Sequence, residues 1–326
     1  MSTTKRTAYI LILTVIFCIA VYCSAFAGYH DNGLHLLKKL FNLDGDTESI
    51  LLEILRLPRV LRGIIAGCCL AVSGMLLQSV SKNPLAEPYI TGISSGAGFG
   101  IVLSVLFFGG TAYSLFGFTG ALISALFVIL FCGFGRFSIT KLILVGLSVN
   151  MFAGAVISFL ILKNTDKAYS LMYILTGNIT ENTGISDLHL ILLFLCTVFL
   201  CGLFVPKLNF LRLDTGLTHN EKRKENYDIT VIILSAFLAA LSVLTAGILS
   251  FVGIVAPQIS KLLFGNDYRW LFFSNILIGS AFILFADFIS RIILYPVQIP
   301  LGLVIAFIGS PIFIYFLTRK GDFLHD

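Results

Sequence analysis

Residues able to do chemistry are few in this chain, and most sit at the edges of long apolar runs. Asp287 and Arg291 are four apart within the apolar stretch Leu271 to Leu317. With the acid first, this is the favourable order for an ion pair along one helix face. Ionisable groups inside such stretches pair with one another or face a protein interior, so the two read either as a neutral structural pair or as part of a charged rim. Arg56 and Arg59 flank Pro58 where another apolar run begins. Arginines there either snorkel to lipid headgroups or hold a fixed positive field that steers an acidic partner. Asn83, Pro84, Glu87 and Gly92 lie in a proline-broken segment, and Gly253 and Pro257 interrupt a further apolar run. Broken backbone of this kind either lines a cavity or simply joins two helices. Glu87 has a basic residue as its expected partner. His30, His35, His189 and His219 lack ligand spacing, so no metal site is expected. No catalytic group is expected either, since no span holds paired carboxylates or clustered histidines.

The elements that must position these residues are membrane helices. Of 326 residues, 57% are hydrophobic and 12% charged, and the mean hydropathy is +0.97. Soluble domains carry about 25% charged residues. A span needs about 20 apolar residues, so the length accommodates eight to ten helices as a single transmembrane domain and leaves no room for an ATPase domain. The phosphate-cradling G-x-x-x-x-G-K-[ST] pattern is also missing. All seven cysteines lie in apolar runs as small buried hydrophobes, without a disulfide framework. A net charge of +5 could suggest nucleic acid, but the basic residues cluster at helix edges and read as a topology signal.

Lys5 and Arg6 precede a first apolar run from about Ala8 to Ala27, whose length suits a retained helix more than a cleaved signal. An external loop is expected at about 29–55, an external interfacial helix at about 164–187 and a cytoplasmic loop at about 213–226. The glycine-rich segment Gly92 to Gly100 opens the third span, where small residues allow close backbone approach. The run Ile229 to Phe264 is too long for one span and is expected to split at Gly247, Gly253 and Pro257. Leu271 to Leu317 divides similarly around Arg291 to Pro300. The expectation is thus an all-α membrane protein of about ten transmembrane helices, with both termini in the cytoplasm of the cell-membrane host. That arrangement puts 14 of the 22 lysines and arginines inside, in accord with the positive-inside rule.

Several of these residues together resemble a known family. Leu55-Arg56-Leu57-Pro58-Arg59, Asn83-Pro84-Leu85-Ala86-Glu87-Pro88 leading to Gly92-Ile93-Ser94-Ser95-Gly96-Ala97, Phe251-Val252-Gly253-Ile254-Val255-Ala256-Pro257, and Ala286-Asp287 followed by Arg291 are similar to the FecCD family. These are permease subunits of ABC importers for iron-siderophore, heme and vitamin B12. The resemblance runs from about Leu51 to Leu317. It implies a type II ABC importer permease that forms a homodimer or heterodimer, with two cytoplasmic ATP-binding subunits below and an external substrate-binding protein above. ATP would be hydrolysed in the partner chains, and this chain would need no cofactor.

The resemblance also implies roles. Arg56, Arg59 and Arg291 would dock the binding protein. Asp214, Gly216, Leu217, Glu221, Lys222 and Arg223 fall in the place of the ATPase-coupling element, although a charge run of this kind is otherwise a solvated face. Asn83, Pro84, Glu87, Gly92, Gly253, Pro257 and Asp287 would be structural or line the pathway. The chain departs from the family pattern at Gln258, where His is usual, at Gln298, where Glu is usual, and at Ile174, where Trp is common. An iron chelate, siderophore or heme, is the first expectation for the cargo and cobalamin the alternative. The rival of another class is an ion-coupled secondary transporter, which would be expected to carry ionisable residues near mid-membrane.

Overall fold

The computed structural model describes residues 3–26, 55–133, 138–179, 186–213 and 221–319. Within them the chain forms eleven α-helices and no strand. They are α1 (Thr3–Phe26), α2 (Leu57–Ser81), α3 (Ile93–Phe107), α4 (Tyr113–Gly133), α5 (Ile139–Lys163), α6 (Ala168–Leu175), α7 (Asp187–Leu213), α8 (Glu221–Ala246), α9 (Val252–Phe264), α10 (Tyr268–Ile292) and α11 (Leu301–Arg319). Seven of these, α1, α2, α4, α5, α7, α8 and α10, contain stretches long and apolar enough to cross a membrane, while α3, α9 and α11 are apolar but shorter. Helix is the required form, because lipid offers the backbone no hydrogen bonds and a helix satisfies its own.

The helices divide by what surrounds them. α2 is apolar around its whole circumference, and from Val60 to Val80 nearly every side chain is buried; a helix of that kind belongs in a core. α8, α9 and α10 pack against it. Two of those crossings are so close that they leave no room for a side chain. A methyl group at Gly67 would overlap the Gly279 carbonyl of α10, and one at Gly74 would overlap Gly253 of α9. α3 and α4 meet in the same way at Gly96 and Gly120, so the glycine-rich segment does bring two backbones together. By contrast α5 and α7 turn large apolar side chains outward, among them Met151, Phe152, Phe159, Leu192 and Phe199.

The two over-long apolar runs are divided. The second breaks between Ile292 and Leu301. The first breaks between Ala246 and Val252, at Gly247 (φ 71°) and Phe251 (φ 68°), and Gly253 and Pro257 lie inside α9 rather than at the break. A proline there removes one backbone donor, and the carbonyl left over is met from another helix.

Candidate functional site

Two polar clusters occupy opposite ends of the α2–α10 core. At the first, Arg56 at the N-cap of α2 and Arg59 and Arg62 within it stand at intervals of three. Three residues advance a helix by about 300°, so successive side chains fan round the axis and each reaches a different neighbour. Arg56 Nη1 donates to the Ala25 carbonyl near the end of α1 at 3.4 Å. Arg62 Nη2 donates to Asp187 Oδ1 at the start of α7 at 2.8 Å. Arg59 turns to α10, where both its Nε and its Nη2 lie 2.9 Å from Asp287 Oδ1. Its Nη2 also reaches Asn178 Oδ1 at 3.5 Å.

The second oxygen of Asp287 is equally engaged. Oδ2 lies 3.1 Å from Arg291 Nη2 and accepts from the Ser24 hydroxyl at 3.2 Å. Arg291 Nη2 in turn donates to the Ser24 carbonyl at 2.7 Å. Asp287 has no exposed surface, whereas the side chains of Arg59 and Arg291 are 13% and 17% exposed. Guanidinium keeps its charge in such surroundings, so two cations on one carboxylate leave a local surplus of +1. The i, i+4 pairing of Asp287 with Arg291 is present. What the sequence hides is the third member, Arg59, 228 positions away. Arg62 and Asp187 were hidden too, although the regular spacing of three arginines was a signal that could have found Arg62.

At the opposite end the chemistry is mainly that of amides, with one lysine and one carboxyl beside them. Pro257 cannot donate to the carbonyl of Gly253, and Gln78 Nε2 of α2 does so instead at 3.2 Å. Gln78 Oε1 accepts from Lys261 Nζ at 2.8 Å and from Gln258 Nε2 at 3.3 Å. Gln258 Nε2 also donates to the Pro84 carbonyl at 2.8 Å, so the proline-broken segment is tied to α9. Glu87, buried in the same segment, accepts from the backbone N–H of Phe251 at 2.8 Å, just before α9 begins. Its partner is a helix-end amide, not the basic side chain expected from sequence, and a carboxylate at a helix N-terminus is favourable for the same reason as a cap. Asn83 is exposed and builds the turn itself, with Oδ1 accepting from Leu85 N at 2.9 Å. Gly92, at φ 87°, joins the 3-10 turn Pro88–Thr91 to α3. Gln78, enclosed in an apolar helix, was missed by sequence reasoning; a lone amide among hydrophobes was its only sign.

α1 is fastened to α10 at both of its ends. Beside Ser24 at one end, Arg6 Nη1 meets Asp267 Oδ2 at 3.3 Å at the other, and its guanidinium lies over the Trp270 ring. Asn209 of α7 joins this knot by donating to Asp267 Oδ1 at 2.8 Å. Of the residues expected to couple to an ATPase, Glu221, Lys222 and Arg223 fall in the first turn of α8. Asp214, Gly216 and Leu217 lie outside the described residues, as does most of the expected loop at 29–55. Gln298 is exposed near the arginine cluster's end of α10, and Ile174 packs in α6 against the apolar cluster around Leu171.

Comparison with known proteins places this architecture. The chain is 30% identical over 321 residues to the Fe(3+)-citrate import system permease protein YfmD of Bacillus subtilis, covering 97% of this chain and 96% of the relative. It is also 30% identical over 282 residues to the hemin transport system permease protein HmuU of Yersinia pestis, covering 82% and 83%. A solved inward-facing structure described as a metal-chelate type ABC transporter superposes with a TM-score of 0.79 at 25% identity, over 96% of this chain and 99% of the other. The family model for the FecCD transport family matches residues 12–319. With that match over nearly the whole chain and apolar helices throughout it, the protein is a multi-pass membrane protein that belongs to the FecCD transport family.

Proposed function

We propose that this chain is the permease subunit of an ATP-binding cassette importer that carries an iron chelate, siderophore or heme, into the cytoplasm by alternating access. Two permease chains, identical or paired with a related one, would sit on two ATP-binding subunits and receive cargo from an external substrate-binding protein. Both termini are then cytoplasmic, the arginine cluster faces outward, and the segment 213–226 lies against the ATPase. Arg56, Arg59 and Arg291 are the docking residues in this reading; Asp214, Gly216, Leu217, Glu221, Lys222 and Arg223 are the coupling residues.

The observation that carries the reading is the net-positive cluster at the end of α2 and α10, in a chain whose relatives include import permeases for ferric citrate and hemin. Charge held at a rim acts mainly on the rate and specificity of docking. An ion-coupled carrier is less well supported. Such a carrier needs a carboxylate free to change partners, and Asp287 already accepts from Arg59, Arg291 and Ser24.

The test is uptake of radioactive iron chelate into proteoliposomes holding the purified complex. Import should need both ATP and the external binding protein, and an ATPase should co-purify with the permease. Import driven by an ion gradient without an ATPase overturns the proposal. Orientation is read separately by labelling single cysteines placed at positions 45 and 220. The first should react from outside and the second only after permeabilisation.

A further inference from the structure

The docking reading treats the arginines as the whole of the recognition surface. Their geometry assigns a share of it to the buried carboxylate beneath them. Arg59 spends Nε and Nη2 on Asp287 and Asn178. Arg291 spends Nε on the Asp287 carbonyl and Nη2 on Ser24 and the Asp287 carboxylate. In both residues Nη1 makes no hydrogen bond to any described residue, and the two side chains keep 13% and 17% of their surface exposed. Each guanidinium is therefore gripped along one edge by Nε and Nη2, and its remaining terminal nitrogen is uncommitted among the described residues. A guanidinium is a rigid planar fork, so fixing two of its nitrogens fixes the third.

We propose that Asp287, supported by Ser24, is a positioning residue that presents Arg59 Nη1 and Arg291 Nη1 as a prearranged pair of donors for a carboxylate on an acidic protein partner. The proposal rests on the docking reading above and deepens it. Left to themselves, two arginines at a helix end would repel each other and sample many rotamers. Ordering such a side chain at an interface costs free energy, and here the carboxylate imposes that ordering before the partner arrives. Asp287 itself has no exposed surface and so cannot repel an incoming carboxylate by contact.

This assignment makes a prediction opposite in sign to simple charge counting. Asp287→Asn raises the local charge by one, so a counter-charge role predicts tighter binding of an acidic probe. A positioning role predicts weaker binding. The experiment uses the full permease complex in nanodiscs and a hexaglutamate peptide as probe, with affinity measured at low and moderate salt. Asp287→Asn should weaken peptide binding by about tenfold, the scale of one charge-assisted hydrogen-bonded contact. Ser24→Ala, which changes no charge, should weaken it by about two- to fourfold. Binding by Asp287→Asn at or above the wild-type affinity overturns the proposal. Should that variant fail to accumulate, Ser24→Ala decides, and its unchanged affinity is then the overturning result. Arg56→Glu provides the separate check on the docking reading, since Arg56 does not touch Asp287. Peptide binding indifferent to that reversal at low salt defeats the docking reading itself, whatever the Asp287 variants do.

Discussion

The two ends of the α2–α10 core solve different problems with different chemistry. At the arginine end the difficulty is charge: a carboxylate without exposed surface is held by two guanidiniums and a hydroxyl. At the glutamine end the difficulty is backbone: prolines at 84, 88 and 257 interrupt regular pairing, and Gln78, Gln258 and Glu87 supply or accept the missing hydrogen bonds. An ionic cluster is rigid and unforgiving, because removing one member strands the others. A network built mainly of amides, apart from the Lys261 bond to Gln78, has individually weaker links that can exchange partners one at a time. The contrast suits an arginine end that keeps one shape and a glutamine end that rearranges.

The largest expected effect comes from taking the anion out of the ionic cluster. Asp287→Ala leaves two part-buried arginines uncompensated and should cost up to about 3–5 kcal/mol of stability, seen as early thermal unfolding of the purified complex. The combined replacement Arg59→Met, Asp287→Leu, Arg291→Met should regain most of that loss. If Asp287→Ala unfolds with the wild type, the ionic end is not the rigid one and the comparison collapses.

The next effect probes the other end. Gln78→Leu should cost about 1–3 kcal/mol, the usual range for stranding a buried polar group. In a Pro257→Ala background, the restored N–H at position 257 can serve the Gly253 carbonyl, so the same replacement should cost less. A cycle of the two with no coupling would mean that Gln78 does not stand in for the missing proline donor. The smallest effect is expected at Glu87. Glu87→Gln keeps an acceptor for the Phe251 N–H and loses only the charge at the start of α9, worth about 0.3–1 kcal/mol. Glu87→Ala should be clearly worse, and equal stabilities of the two variants would remove Glu87 from the set of substitute backbone partners.

Much of the fold was legible in the sequence because apolar length and glycine or proline punctuation are local signals. The divisions of the two long runs fall at Ala246–Val252 and Ile292–Leu301 for that reason. Where punctuation misled, another element had intervened: Pro257 does not break α9, since Gln78 of α2 supplies the carbonyl's partner. Pro206 likewise does not end α7, which runs on to Leu213. The site was legible only in part. Asp287 and Arg291 could be paired from their spacing, but nothing local says that Arg59 joins them or that Glu87 meets a backbone amide. α2 is apolar all round, so its pattern does not indicate which face meets which neighbour.

The clasps at both ends of α1 have a consequence for how the protein is made. Ser24 and Asp287 are 263 residues apart, and Arg6 and Asp267 are 261 apart. At about 5–20 residues per second, a ribosome takes roughly 13–50 s to cover that interval. For that time the first helix leaves the translocation machinery with Arg6 and Ser24 still waiting for their partners, and the Arg59 guanidinium waits for its carboxylate as well. Closure of the bundle is therefore a late event in synthesis. Chains that stop short of α10 should be recognisable to membrane quality control by an unclasped first helix, however well their other spans have inserted.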